Sequence, residues 1–76
     1  MVFPLIEEIL IMLSNLGAVE EDRAVTKDAL NQSEKLRGKS IDEDVKRLIE
    51  TGYVKDHNGR LYLTKAGLFR ALSRFS

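Results

Sequence analysis

The sequence predicts a mostly α domain with one small antiparallel β-hairpin (α+β), its elements ordered helix, strand, helix, helix, strand, strand, helix. Three observations carry this. Apolar residues recur at helical spacing in four stretches, two short strand-like runs flank Asn58-Gly59, and Gly17, Gly38 and Gly52 stand where the first three helical stretches stop. With 76 residues, the chain is expected to be a single domain, 1–76. At that size folding buries only roughly 60% of the surface an unfolded chain exposes, so the core must be compact.

Composition narrows the function classes. Hydrophobic residues make up 43% of the chain and charged residues 32%, a balance that suits a globular protein and not a disordered one. There is no cysteine and one histidine, which removes disulfides, thiolate chemistry and the usual structural zinc sites. The formal net charge is zero, which argues against a strongly basic coat for nucleic acid. The charges are unevenly placed, however. Residues 1–38 hold four bases against seven acids, a net of −3, and residues 39–76 hold eight bases against five acids, a net of +3. The stretch Val2 to Leu16 is too short and too interrupted by Pro4, Glu7 and Glu8 to span a bilayer, and no basic region precedes it as in a signal peptide. A cytoplasmic protein is expected.

In the first helix Pro4 occupies the tolerant first turn, Glu7 and Glu8 favour the positive end of the dipole, and Gly17 stops the run. Its apolar residues, Phe3 to Leu16, cover an arc of roughly 180°, wider than a surface helix needs. Ile11 falls outside that arc. Two readings follow: a central helix buried by the rest of the domain, or a helix that also packs on a second subunit. Glu20-Glu21-Asp22 reads as a loop leading to a short extended segment near Val25. Thr26 is placed to cap a second helix of about three turns, with Ala29, Leu30, Ser33 and Leu36 at helical spacing up to Gly38.

A third helix is predicted over 40–51. Ser40 and Glu43 have the spacing of a capping box, with Ile41, Val45, Leu48 and Ile49 on one face and Glu43, Lys46, Arg47 and Glu50 on the other. The hairpin, 53–63, follows from Asn58-Gly59, since a two-residue type I′ turn needs positive φ at both positions. That turn pairs His57 with Arg60, Asp56 with Leu61, Lys55 with Tyr62 and Val54 with Leu63. Val54, Leu61 and Leu63 then face the core, and Lys55, His57, Arg60 and Tyr62 face out. Thr64 caps a last helix whose Leu68, Phe69, Ala71, Leu72 and Phe75 share one broad side, opposite Arg70 and Arg74.

Nothing in the chain is arranged for catalysis. His57 has only Asp56 beside it, no serine has a His/Asp pair in a recognisable pattern, and Gly38 and Gly59 belong to turns. No enzyme activity and no cofactor or metal are expected.

The segments Leu48-Ile49-Glu50-Thr51-Gly52-Tyr53-Val54 and Gly59-Arg60-Leu61-Tyr62-Leu63-Thr64-Lys65-Ala66-Gly67 resemble the end of the recognition helix and the wing of small archaeal and bacterial winged helix-turn-helix regulators. The C-terminal half is similar to that family in residues, the N-terminal half only in pattern. In this comparison Arg37 to Ser40 corresponds to the turn of the helix-turn-helix, and the segment near Val25 to a third strand beside the hairpin. The resemblance implies a protein that binds double-stranded DNA, sequence-specifically or generally, as a transcriptional regulator. The third helix would enter the major groove and the wing would lie on the backbone or in the minor groove. It further implies base-edge contacts from Lys39, Ser40, Glu43, Lys46 and Arg47, and phosphate contacts from Thr26 and Lys27 and from Lys55, His57, Asn58 and Arg60 on the wing. A homodimer is expected, with Phe3, Ile11 and Phe75 as its interface.

One stretch departs from the family pattern. Asp42, Glu43 and Asp44 put three acids in the first turn of the presumed reading helix. Near phosphate each like-charge contact costs on the order of 1 kcal/mol in water. The same carboxylates stabilise the helix dipole by about 0.3 to 1 kcal/mol each. Glu43 with Arg47, and Lys46 with Glu50, are also spaced for i,i+4 pairs. A second function therefore stands beside the first: a winged-helix module that binds proteins and not DNA.

Overall fold

The computed structural model describes residues 5–34 and 36–73. The elements are α1 (Ile6–Asn15), a 3₁₀ turn (Glu21–Arg23), β1 (Val25–Thr26), α2 (Lys27–Asn31), α3 (Asp42–Glu50), β2 (Val54–His57), β3 (Arg60–Leu63) and α4 (Lys65–Ser73). The three strands form one antiparallel sheet in the order β1-β3-β2, so the last strand of the hairpin is its centre. α1 packs most extensively against α4 and also touches α2, α3 and β3. Its Ile9, Leu10 and Leu13 are fully buried among Leu30, Leu36, Val45, Leu48, Leu61 and Leu63. Each such side chain contributes about 1.5 to 3 kcal/mol of transfer free energy.

The hairpin has the register that its turn requires: Val54 opposite Leu63, Lys55 opposite Tyr62, Asp56 opposite Leu61 and His57 opposite Arg60. Asn58 and Gly59 sit at φ 55° and 84°, and the Gly59 amide donates to Asp56 Oδ1 at 2.9 Å. Val54, Leu61 and Leu63 are buried, while Lys55, His57 and Arg60 are exposed. β1 adds Val25 opposite Leu61 and Thr26 opposite Arg60.

α3 ends in a pair of bonds that needs a left-handed residue. The Tyr53 amide donates to Leu48 O at 3.0 Å and the Gly52 amide to Ile49 O at 3.1 Å, with Gly52 at φ 85°. The same pattern closes α1 at Gly17. Across from Gly52, Thr64 Oγ1 donates to the Gly52 carbonyl at 2.6 Å and accepts from the Gly67 amide at 3.1 Å. One hydroxyl thereby caps α4 and ties its start to the end of α3. Gly67 is buried against Tyr53, where a Cβ would collide with the Tyr53 carbonyl oxygen.

Several expectations need correction. The second helix is not three turns long: α2 stops at Asn31, and the described residues that follow it up to Gly38 form turns and a bend, with Arg37 N donating to Ser33 O at 2.8 Å. Asn31 and Ser33 favour turns over a continued helix, and Leu36, beyond the helix, is still buried in the core with Leu30 of α2. The tight turn expected at Arg37 to Ser40 is accordingly a longer connection from Gln32 to Ile41.

The capping box does not form. α3 starts at Asp42 with Ile41 as its cap residue and no side-chain cap bond, because Ile41 is 2% exposed and anchors the entry to the helix in the core. Ser40 is then one residue too early to cap, and Glu43 one residue short of reaching back. On α4 the broad apolar side is only partly covered: Ala71 is buried and Leu68 half-buried, but Phe69 is 79% and Leu72 52% exposed. On α3, Ile49 is 38% exposed at the edge of the face expected to be buried.

Candidate nucleic-acid interface

The cap of α2 forms as its local sequence requires, with the Ala29 amide donating to Thr26 Oγ1 at 3.3 Å. This leaves Thr26 exposed, and Lys27 half-buried at the first position of the helix. Lys27 already has a partner within the chain: its Nζ lies 3.0 Å from Asp42 Oδ1 and joins the start of α2 to the start of α3. His57 is similarly engaged. Its Nδ1 lies 2.9 Å from Glu21 Oε1, and its Nε2 lies 3.5 Å from Asn58 Nδ2. Sequence reading missed both acids because each partner comes from an element distant along the chain.

The three first-turn acids of α3 have separate fates. Asp42 is exposed and paired with Lys27, Asp44 is buried with its Oδ1 lacking a hydrogen-bond partner, and Glu43 is exposed. Glu43, Lys46, Arg47 and Glu50 together line a shallow recess on the outer face of α3. Among the described residues no ion pair joins Lys46 to Glu50, although their spacing allows one. Lys39 and Ser40 are exposed in the connection before α3, and Lys55 and Arg60 are exposed on the hairpin, whose tip holds Asn58. Glu43, Lys46 and Arg47 are thus brought to one helix face, whereas Thr26 and Arg60 are neighbours across β1 and β3.

Arg70, on the side of α4 expected to offer bases, is also engaged. It donates from Nη2 to Glu7 Oε1 at 2.8 Å and lies over the Tyr53 ring at 5.7 Å from its centroid. The hydrogen bond and charge of Glu7, aided by Tyr53, raise the Arg70 pKa above its ordinary value. Ile11, named for a subunit contact, is half-buried, and Phe3 and Phe75 lie outside the described residues. A different apolar surface is on show: Lys65, Leu68, Phe69 and Leu72 line a shallow recess along α4.

Among the described residues no group of three or more His, Asp or Glu is placed to hold a metal ion, and no helix is long and apolar enough to cross a membrane. No protein-family model, curated protein or solved structure matches the chain.

Proposed function

We propose that the chain is a winged helix-turn-helix domain that binds double-stranded DNA as a cytoplasmic homodimeric transcriptional regulator. α3 would face the major groove, and the wing of β2 and β3 would touch the backbone or minor groove. The observation that carries this reading is the outer face of α3, where Lys46 and Arg47 stand exposed on a helix followed directly by a hairpin presenting Lys55 and Arg60. The α4 recess around Phe69 and Leu72 is proposed as a surface for the second copy, beside the expected Phe3, Ile11 and Phe75. Fluorescence anisotropy with duplex DNA at low salt tests DNA binding, with Arg47→Ala and Arg60→Ala each expected to weaken it. Absence of binding at protein concentrations around 10⁻⁴ M, weaker than ordinary non-specific affinity, would overturn the reading.

A second reading is a winged-helix module for protein partners. It is favoured by the pairing of Lys27 with Asp42 and of His57 with Glu21, which occupies two of the expected phosphate ligands with acids of the same chain. A stoichiometric protein partner that survives nuclease treatment in a pull-down, with no duplex binding by anisotropy, would select it.

A further inference from the structure

We infer that the outer face of α3 selects G·C base pairs in the major groove, with Glu43 accepting from cytosine N4 and Arg47 donating to guanine O6 and N7. This rests on the DNA-binding reading above and names the sequence class that the same face would take. The starting point is the mixture of charge around one recess: Glu43 and Glu50 with Lys46 and Arg47, all exposed. Two carboxylates beside two cations make this face poor at holding phosphates, since repulsion offsets most of the attraction. Base edges are different, because they offer donors as well as acceptors.

A carboxylate in the major groove needs a donor, and the bases supply only cytosine N4 and adenine N6. Adenine is read by a side chain that donates to N7 while accepting from N6, the work of Asn or Gln, and α3 contains neither. Thymine is read through its methyl group by an apolar side chain. The apolar candidate on α3, Ile49, lies roughly a third of a turn away from the centre of the Glu43, Lys46, Arg47 and Glu50 arc at 100° per residue. What remains is guanine for the cations and cytosine for the carboxylates. Glu43 and Arg47 are one turn apart, about 6 Å of helix rise against about 3.4 Å per base step, so they address bases one or two steps apart. The other two first-turn acids do not enter this count, since Asp42 is held by Lys27 and Asp44 is buried.

The test is selection of bound duplexes from a pool with a randomised centre, run with the full chain and with Glu43→Gln, followed by anisotropy on the enriched duplexes. The wild type is expected to enrich a C and a G one or two steps apart. Replacing either base pair should weaken binding from about fivefold to about a hundredfold. Glu43→Gln, an exposed substitution whose fold circular dichroism checks, should exchange that cytosine for adenine and keep the guanine. Wild-type binding without base preference, or enrichment of A·T pairs, overturns the inference and leaves DNA binding standing. An unchanged motif in Glu43→Gln overturns the role of Glu43. A protein that binds no duplex overturns the DNA-binding reading itself, and this inference falls with it.

Discussion

Gly67 of α4 lies against the carbonyl oxygen of Tyr53, and the gap between them has no room for a Cβ. The atom in the way is backbone, held also by the Thr64 amide, which donates to the same oxygen at 3.1 Å. A side chain here cannot be accommodated by turning a rotamer. Gly67→Ala is therefore expected to destabilise the domain by about 3 kcal/mol, at or beyond the upper end of ordinary overpacking, despite alanine's better helix propensity. Thermal denaturation followed by circular dichroism should show a midpoint lowered by at least about 10 °C.

Thr64→Val removes the hydroxyl that serves both the Gly52 carbonyl and the Gly67 amide while keeping its shape. A loss of about 1 to 2 kcal/mol is expected, and Thr64→Ser should recover most of it. Urea unfolding of the two variants side by side measures the difference.

Gly59 at φ 84° closes the hairpin. Gly59→Ala forces a Cβ into a left-handed position and should cost roughly 1 to 2 kcal/mol. Asn58→Gly, which keeps the turn geometry, should leave the unfolding midpoint nearly unchanged.

The Lys27 and Asp42 side chains are 43% and 74% exposed, so their pair contributes at most about 1 kcal/mol to folding. Asp42→Asn should leave stability within that margin. For a DNA-binding protein the same change frees a lysine and removes a carboxylate from the phosphate side, and affinity in low-salt anisotropy should rise several-fold. No gain, or a loss, would mean that the start of α2 does not meet the backbone.

Phe69 is the most exposed large apolar residue described, so Phe69→Ser should change stability by no more than about 0.5 kcal/mol. If the α4 recess holds a second copy, light scattering at high micromolar concentration should give a dimer mass for the wild type and a monomer mass for the variant. A monomeric wild type would remove the homodimer.

What could be read from the chain alone was mostly what neighbours in sequence decide. Asn58-Gly59 sets the pairing of eight strand residues because a two-residue turn leaves no slack in register. Thr26 and Thr64 announce helix starts because their acceptors bond amides three residues on. Ser40 and Glu43 carry an equally local signal and fail, since burying Ile41 outweighs a cap bond worth about 1 kcal/mol. α2 is shorter than its pattern suggests for a related reason: Leu30 and Leu36 of the series Ala29, Leu30, Ser33 and Leu36 reach the core as well from a short helix and the turns after it. In the candidate site, the exposed charges of α3 were legible from periodicity. The Lys27–Asp42 and His57–Glu21 pairs were not, because they depend on how distant segments meet, and neither was the exposure of Phe69 and Leu72, which depends on how the described elements pack around α4.

Thr26 ends β1 and caps α2 in a single residue, and across the sheet it faces Arg60 at the root of the hairpin tip. With no linker between strand and helix, the first turn of α2 starts directly from the sheet, beside the β3 strand of the hairpin. Arg60 thus stands beside the residue that leads into Lys27, and the Lys27–Asp42 pair links that turn to the start of α3. Contacts made by these segments should therefore couple in double-mutant cycles, so that Arg60→Ala and Lys27→Ala together lose less or more than their sum, as in a stiff frame and unlike independent loops.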